Sequence, residues 1–542
     1  MHIADTTEAG RSGNAANLFD ETARCHGESL AIEAGGDRTS HAELRGATGA
    51  FAGGLHDLGL APDDTLLLYL PNCPQYLVAA LGAFRAGVVV SPANPQYKAR
   101  ELSYQLDDAN VDAVVTHAAL REHLVGGIEQ ADADPVVITV GAGDGDRSGD
   151  EEATETDGAN ALPSDEVAFE AVRGDPVTVD REDDDVALLP YTSGTTGKPK
   201  GVRLTHRNFR AQLLTTLANH GEIPGEEVRS LLYLPLYHIT GFTHTAMQPL
   251  VGGGALYLRN PTDWDADEAM ATVEEAGITH FVGVTAMYVD MVDAESFGDH
   301  DLSSLVQAAE GGAKMSVAVQ REFEATAGIE MTEGYGLTET NGATHSQQRS
   351  TFGPRHGTIG QPLRMVDCRI VDEGGEEVSI GESGELLVRG PQVMAGYHGM
   401  PEATDAAFTE AGFFRTGDVA RRDPDNYFEI VDRKKHVIVT AGYNVYPSEV
   451  EELLHEHDAV AEAAVVGVPD ERRNEVPKAF VVVKSGVEAG VDVTSEELTR
   501  YCLERVAEYK HPRAVEFIDD LPRTASGKIQ KFRLADGEYA ED

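Results

Sequence analysis

Between residues 17 and 140 the chain alternates helix-like and strand-like apolar segments, and this rhythm narrows the fold more than any other feature. Ala42 to Leu58 carries apolar side chains at helical spacing, whereas Thr65-Leu-Leu-Leu-Tyr-Leu70 is a short continuous apolar run suited to a buried strand. Leu77 to Ala86 returns to a helical pattern, and Val88-Val-Val90 is a second strand-like run. Such alternation predicts a parallel sheet covered by helices, because parallel strands need crossovers that bury both sheet faces. At 542 residues the chain exceeds one compact core, so two or more domains are expected.

The pattern changes along the chain. Gly141 to Asp185 holds 16 acids against three arginines with little periodicity, and reads as a solvated connection. Thr205 caps a helix with apolar positions Phe209, Leu213, Leu214 and Leu217. Further α/β material extends to about 350, and residues 360–431 are strand-rich and glycine-punctuated, which suggests a small β-barrel-like unit. After Asp432 the pattern restarts as a compact α+β domain. There Ser448 with Glu451, and Thr494 with Glu497, have the spacing of capping boxes, and Ala459 to Val468 and Lys478 to Val483 read as strands. The expected fold is α/β: a large N-terminal domain over 1–431, with parallel sheets and the barrel-like unit, and a smaller mobile C-terminal α+β domain over 432–542.

Composition limits the partners. With 92 acidic against 43 basic residues the formal net charge is -49, and only 11 residues are lysine. A chain this acidic has no general basic surface for nucleic acid or anionic lipid. The acids are spread among regular apolar runs rather than gathered in a tail. That distribution suits molar salt, where the Debye length falls to roughly 3 Å, and resembles haloarchaeal proteins. Four cysteines (Cys25, Cys73, Cys368, Cys502) lie far apart without a C-x-x-C pair, which fits a reducing compartment. The amino terminus has no apolar signal core, and the longest apolar stretch, Leu77 to Val90, is broken by Arg85. A cytoplasmic protein without an integral membrane segment is expected, and a homodimer is allowed.

Chemistry enters at Tyr191-Thr-Ser-Gly-Thr-Thr-Gly-Lys-Pro-Lys-Gly-Val202. Glycines let backbone N–H groups approach a phosphate, while hydroxyls and ammonium groups add donors. The spacing is not that of the kinase and GTPase loop, which needs four residues between its glycines and a Ser or Thr after the lysine. Here Thr195 and Thr196 alone separate Gly194 from Gly197, and Pro199 follows Lys198.

The string resembles the phosphate loop of the adenylate-forming superfamily of acyl-CoA synthetases, peptide-synthetase adenylation domains and firefly luciferase. Further motifs follow in that family's order: Leu234-Pro-Leu-Tyr-His-Ile-Thr-Gly-Phe242, Glu333-Gly-Tyr-Gly-Leu-Thr-Glu-Thr340, Phe414-Arg-Thr-Gly-Asp418, Asp432-Arg-Lys-Lys435, Gly442-Tyr-Asn-Val-Tyr-Pro-Ser-Glu-Val-Glu451 and Pro522-Arg-Thr-Ala-Ser-Gly-Lys-Ile-Gln-Lys531. The resemblance implies ATP, Mg²⁺ and coenzyme A as partners of a carboxylic acid. It places Thr192, Ser193, Gly194, Thr195, Thr196, Gly197, Lys198 and Lys200 on the β- and γ-phosphates. Thr338 would contact the α-phosphate and Glu339 the Mg²⁺. Tyr335 would stack on adenine, with Gly312 and Ala313 on its other side and Glu333 and Gly334 in the same pocket. Asp418, assisted by Arg433, would hold the ribose, and His238 would orient the acyl carboxylate. Lys528 would stabilise charge as the mixed anhydride forms. Lys435 would be the hinge about which the small domain turns, bringing Gly442 and Tyr443 to the coenzyme A thiol.

These assignments imply an AMP-forming acyl-CoA ligase for a medium- or long-chain fatty acid. The small Ala441, where coumarate ligases and luciferases carry lysine, resembles fatty-acyl ligases. An aryl-acid (coumarate- or benzoate-like) CoA ligase is the alternative, and it would differ in pocket residues such as Thr240, Thr243, Val284 and Met287. A peptide-synthetase adenylation domain would carry an Asp just after Phe242, where Thr243 and His244 stand.

Overall fold

A computed structural model describes residues 12–141, 166–192, 199–219, 223–311, 315, 317–348, 350–440, 443–470, 472–523 and 529–537. Two nine-stranded sheets dominate the N-terminal part. One is parallel through its centre, in the order Met331–Leu337, Gln307–Gly311, His280–Gly283, Arg229–Leu232, Ala255–Leu258 and Leu30–Ala34. The other runs Val186–Leu188, Val89–Pro92, Thr65–Tyr69, Val111–His117, Val136–Val140 and Val167–Ala168, again parallel. Antiparallel strands finish the edges that matter for function. Lys200–Thr205 and Gly396–Tyr397 extend the second sheet, and Gly342–Ser346 folds back on the first.

The apolar periodicity sets the layers. The helix His41–Asp57 opens on a Ser40/Glu43 capping box, and Pro74–Ala86 has proline in its first turn and Gly87 at φ 75° beyond its end. The Pro74–Ala86 and His206–Asn219 helices meet at Phe84 and Phe209, whose ring centroids are 5.2 Å apart, and Phe209 lies 5.8 Å from Phe242. This one apolar cluster gathers core residues of both sheets, including Leu66, Val90, Leu188, Leu232 and Leu256. Thr205 and Asn208 cap each other reciprocally at the start of the second helix.

Residues 367–433 form an antiparallel row of Asp367–Val371, Gly384–Arg389, Phe414–Arg422 and Phe428–Arg433. The row is open rather than barrel-like, because the last strand is bridged at Phe428 by Gly360 instead of by the first strand. The C-terminal sheet comprises Tyr443–Val445, Ile438–Thr440, Asn474–Val483 and Val460–Asp470, with Ala514–Phe517 parallel to the third of these. Among the described residues, its core, including Ile438, Val450, Leu454, Val465, Val481 and Leu498, draws on residues from 438 onward. The four cysteines are unpaired. Among the described residues, no helix is long and apolar enough to cross a membrane.

Two local expectations are corrected. The acid-rich connection lies outside the described residues over 142–165, and much of 166–185 is exposed as expected, but it is anchored: Phe169 and Val172 are buried, and Arg181 is 8% exposed, paired with Asp63 and, at 3.0 Å, with Asp185. Acidic composition hid a segment whose charges are used in ion pairs. Ser448 and Glu451 do not form a capping box. The helix Pro447–His455 starts on its proline, with Tyr446 as N-cap, so Ser448 sits inside the first turn. Glu451 instead accepts from the Val465 N–H at 2.6 Å and pairs with Lys531 at 2.7 Å. Thr494 does cap its helix, accepting from the Glu497 N–H at 3.2 Å.

Asp432, at the end of the last strand before the C-terminal sheet, takes over the capping role. Its carboxylate accepts from the Ser448 N–H at 2.9 Å and the Ser448 hydroxyl at 2.7 Å. Burial pushes its pKa upward, but bonds from His436 and Ser448 and the nearby Lys531 prevail and hold it at about 2. A carboxylate held below its unfolded value stabilises the fold above about pH 4, and that contribution is lost as pH falls toward 2. Asp432→Asn is therefore expected to destabilise the protein by about 2 kcal/mol at pH 7. Thermal unfolding followed from pH 7 to pH 3 should show the variant and the parent converging in acid. A constant gap across that range would contradict the assignment.

Candidate active site

The loop 193–198, with Ser193, Gly194, Thr195, Thr196, Gly197 and Lys198, lies outside the described residues, but both its ends are pinned. Thr192 pairs with Lys200 and Tyr191 with Gly201 in an antiparallel ladder. The Tyr191 hydroxyl donates to Asp108 at 2.6 Å, and the Tyr104 hydroxyl to the Pro199 carbonyl at 2.8 Å. The glycines and hydroxyls of this sequence are of the kind that supply backbone and side-chain donors to an anion.

Asp418 owes its position to the Thr-Gly-Asp sequence. Gly417 takes φ 70°, a conformation that side chains with a Cβ seldom adopt, and the Asp418 N–H donates back to the Thr416 hydroxyl at 3.0 Å. The Thr416 hydroxyl in turn donates to the Leu386 carbonyl at 2.8 Å. Asp418 is thereby held 1% exposed and opposite Arg433 in the ladder. The Arg433 Nε lies 2.6 Å from its Oδ1, and the Tyr335 hydroxyl donates to its Oδ2. Burial first, then the charge of Asp418, raises the pKa of Tyr335 well above 10, so the phenol remains a donor. Arg433, Asp418 and Tyr335 thus form one connected set that joins the 367–433 sheet to the first sheet. Lys435 follows two residues after Arg433. It is exposed, yet partial desolvation of its ammonium and the charge of Arg433 lower its pKa to about 8 against the pull of Asp418.

The strand carrying Tyr335 runs into a tight turn at Thr338–Thr340 that bears Thr338 and Glu339. Glycine is required here: a Cβ on Gly336 would lie 1.9 Å from the Gly342 carbonyl oxygen, and one on Gly342 would strike the His244 ring. His244 Nε2 accepts from the Ala343 N–H at 3.0 Å, and burial lowers its pKa to about 4, so the ring stays neutral for that role. Sequence reasoning assigned no part to His244. It lies in a π-helix, Thr240–Met247, directly after the histidine motif, and nothing local in the sequence marks it. Glu339 Oε1 accepts from the Tyr397 hydroxyl at 3.0 Å, and among the described residues Oε2 has no hydrogen-bond partner. A carboxylate with one oxygen held by Tyr397 suits a hard cation such as Mg²⁺, which is usually held by one or two carboxylates together with substrate phosphates.

His238 is half-buried, and its Nδ1 accepts from the Thr240 N–H at 3.3 Å. Its loop is fixed by Asn72, which donates to the Leu234 and Arg259 carbonyls, both at 2.9 Å, and accepts from the Leu236 N–H at 2.8 Å. Gly241 allows the return, since a Cβ there would lie 2.1 Å from the Pro235 carbonyl oxygen. Of the residues named for an acyl pocket, Thr243 is fully buried and donates to Asn341, and Met287 is buried in the apolar core. Thr240 lies beside Gly311, the last described residue before 312–314. Glu333 is buried, and its carboxylate accepts from Gln320. Gly334 pairs with Ser346 and Gly311.

Gly312, Ala313, Gly442 and Lys528 lie outside the described residues. The base of the Lys528 loop is described: Arg523 bridges Ile529, and the Gln530 N–H donates to the Pro522 carbonyl at 2.7 Å. Tyr443 is 58% exposed and stacks on Tyr509 at 4.7 Å.

The Asp418–Arg433–Tyr335 set, the hairpin that flanks 193–198 and the Thr338–Glu339 turn are the places where an adenylate-forming enzyme would hold its nucleotide. The chain belongs to the AMP-binding enzyme family, whose model matches residues 19–398, and the model for the AMP-binding enzyme C-terminal domain matches residues 449–528. The chain is 34% identical to a long-chain-fatty-acid–CoA ligase of Yersinia pestis over 545 residues, covering 96% of this chain and 94% of that protein. It is 35% identical to a feruloyl-CoA synthase of Amycolatopsis sp, covering 94% of this chain and 96% of that protein. The ATP-bound crystal structure of MatB from Rhodopseudomonas palustris superposes with a TM-score of 0.83 at 30% identity, covering 97% of this chain and 99% of that one.

Asp418→Ala is expected to raise the dissociation constant for ATP at least about tenfold, since a bond to a charged group is worth about 1.5–3 kcal/mol. The exposed Glu373→Ala should leave it unchanged. Equal effects in a nucleotide titration would remove Asp418 from the ribose.

Proposed function

We propose that the chain is an ATP- and Mg²⁺-dependent acyl-CoA ligase acting on a medium- or long-chain fatty acid. The observation that carries this reading is the connection of Asp418, Arg433 and Tyr335 to the Thr338–Glu339 turn through a single strand. A carboxylate oxygen of the acid attacks the α-phosphorus of ATP, and the bond to the β-phosphate oxygen breaks, releasing pyrophosphate. Both reactants are anions, so positioning and charge neutralisation do most of the catalytic work. The phosphate loop with Lys198 and Lys200 holds the β- and γ-phosphates, and Thr338 donates to the α-phosphate. Asp418 and Arg433 fix the ribose, and His238 orients the attacking carboxylate. Mg²⁺, when bound at Glu339, neutralises phosphate charge. Lys528 stabilises the developing anhydride.

The coenzyme A thiol then loses its proton and attacks the acyl carbon, and AMP leaves. We place the domain boundary at 431/432, with rotation about Lys435 exchanging Lys528 for the Gly442–Tyr443 segment between the two steps. The separate core from residue 438 onward supports such movement. The acidic composition supports a cytoplasm of high salt.

An aryl acid is the second reading, favoured by the similarity to a feruloyl-CoA synthase. Pyrophosphate release measured over octanoate, palmitate, oleate, ferulate and benzoate decides between them. The fatty-acid reading expects palmitate or oleate to exceed ferulate in kcat/KM by at least about tenfold, the range of a few methylenes in an apolar pocket. The reverse order would establish the aryl reading.

A further inference from the structure

Tyr397 has no place in the mechanism above, yet it touches both ends of the phosphate site. Its hydroxyl donates to Glu339 Oε1 at 3.0 Å, and the Lys200 ammonium lies 4.8 Å from the centre of its ring. The backbone repeats the connection. Tyr397 pairs with Val202, the Ala395 N–H donates to the Arg203 carbonyl at 2.9 Å, and the His398 N–H donates to the Gly201 carbonyl at 2.8 Å. On the other side the Met394 N–H donates to the Glu339 carbonyl at 2.8 Å. The short strand Gly396–Tyr397 therefore lies between the strand that leaves the phosphate loop and the turn that carries the acid. Thr404 steadies it, accepting from the Tyr397 N–H at 2.9 Å, and the Gly396 Cα faces the Thr404 side chain so closely that a Cβ would lie 2.6 Å from it.

We propose that Tyr397 is a positioning residue that sets Glu339 relative to Lys200, so that one carboxylate oxygen is held in place and the other is presented to the divalent ion accompanying ATP. The inference rests on the reading of Glu339 as the metal-binding acid. The phenol works at both of its ends: the hydroxyl removes the rotational freedom of the carboxylate, and the ring face seats the Lys200 ammonium by cation–π attraction.

The two ends separate by mutation. Tyr397→Phe keeps the ring and removes the donor, while Tyr397→Leu removes both. Binding is measured in two ways: ATP in EDTA by calorimetry, and Mn²⁺ in the presence of saturating ATP by electron paramagnetic resonance. For Tyr397→Phe we expect metal-free ATP binding within about twofold of the parent, and Mn²⁺ binding weakened about fivefold or more, the range of a hydrogen bond to a charged group. Tyr397→Leu should in addition weaken ATP binding in EDTA about two- to fivefold, from loss of the cation–π seat. Glu339→Gln should weaken Mn²⁺ binding, and combining it with Tyr397→Phe should add nothing further. Equal loss with and without metal in Tyr397→Phe, or no loss, overturns the positioning role. If Glu339→Gln leaves Mn²⁺ binding intact, the metal reading of Glu339 fails and this inference fails with it. A melting temperature of Tyr397→Phe matching the parent separates a binding effect from unfolding.

Discussion

Lys528→Ala is expected to cut pyrophosphate release by at least about 10²-fold while leaving conversion of supplied acyl-adenylate to acyl-CoA near the parent rate. The asymmetry follows from charge. In the first half-reaction a carboxylate approaches a triphosphate, and negative charge accumulates on the α-phosphate as the bond to pyrophosphate breaks. An ammonium on a flexible stem can follow both groups at once. In the second half-reaction the nucleophile is a thiol, and the reactive anhydride is already made. The loop carrying Lys528 is short and its base is fixed by the Arg523–Ile529 bridge, so the substitution should remove the charge with little effect on the fold. Gly442→Leu should show the reverse pattern, with adenylation kept and thioester formation lost, because it obstructs the thiol's approach. Equal loss in both half-reactions for Lys528→Ala would contradict a domain that presents different residues in the two steps.

A second large effect is expected from salt. The formal charge of -49 must be tolerated by the fold and crossed by ATP and coenzyme A, which are themselves polyanions. At roughly 0.1 M salt the Debye length is about 10 Å, so neighbouring carboxylates repel across much of the surface. Above about 1 M KCl the Debye length is about 3 Å or less, and local cations such as Lys200 and Lys435 would then be left to draw the phosphates. Melting temperature and turnover should both rise steeply between about 0.2 and 2 M KCl. Full folding and maximal activity in dilute buffer would refute adaptation to salt, but would leave the ligase reading standing on its separate residues.

Much of this was legible in the chain, for physical reasons that can be traced. Parallel strands such as Thr65–Tyr69 announce themselves as continuous apolar runs because both their faces are buried. The ribose-binding candidate was legible because Thr-Gly-Asp is a local device: a left-handed glycine and a hydroxyl that together place one carboxylate. Long-range partners were harder. Arg181 reads as one charge in an acidic stretch, and only the fold shows it buried between Asp63 and Asp185. Ser448 has the spacing of a cap, but the preceding Pro447 starts the helix earlier and Asp432 supplies the carboxylate. Thr243 sits beside the histidine motif in sequence, yet the π-helix turns its hydroxyl inward to Asn341. Tyr397 and His244 carry no local signature, since their roles arise from strands and turns distant in sequence.

The central claim is that one chain joins a fatty acid to coenzyme A through an adenylate. The most direct test incubates the purified protein with ATP, Mg²⁺ and palmitate in 2 M KCl, with and without coenzyme A, and follows products by mass spectrometry. The account predicts palmitoyl-adenylate and pyrophosphate without coenzyme A, and palmitoyl-CoA with an equal amount of AMP when it is present. Formation of ADP and phosphate instead, or of acyl-CoA with no adenylate detectable under any condition, would contradict it.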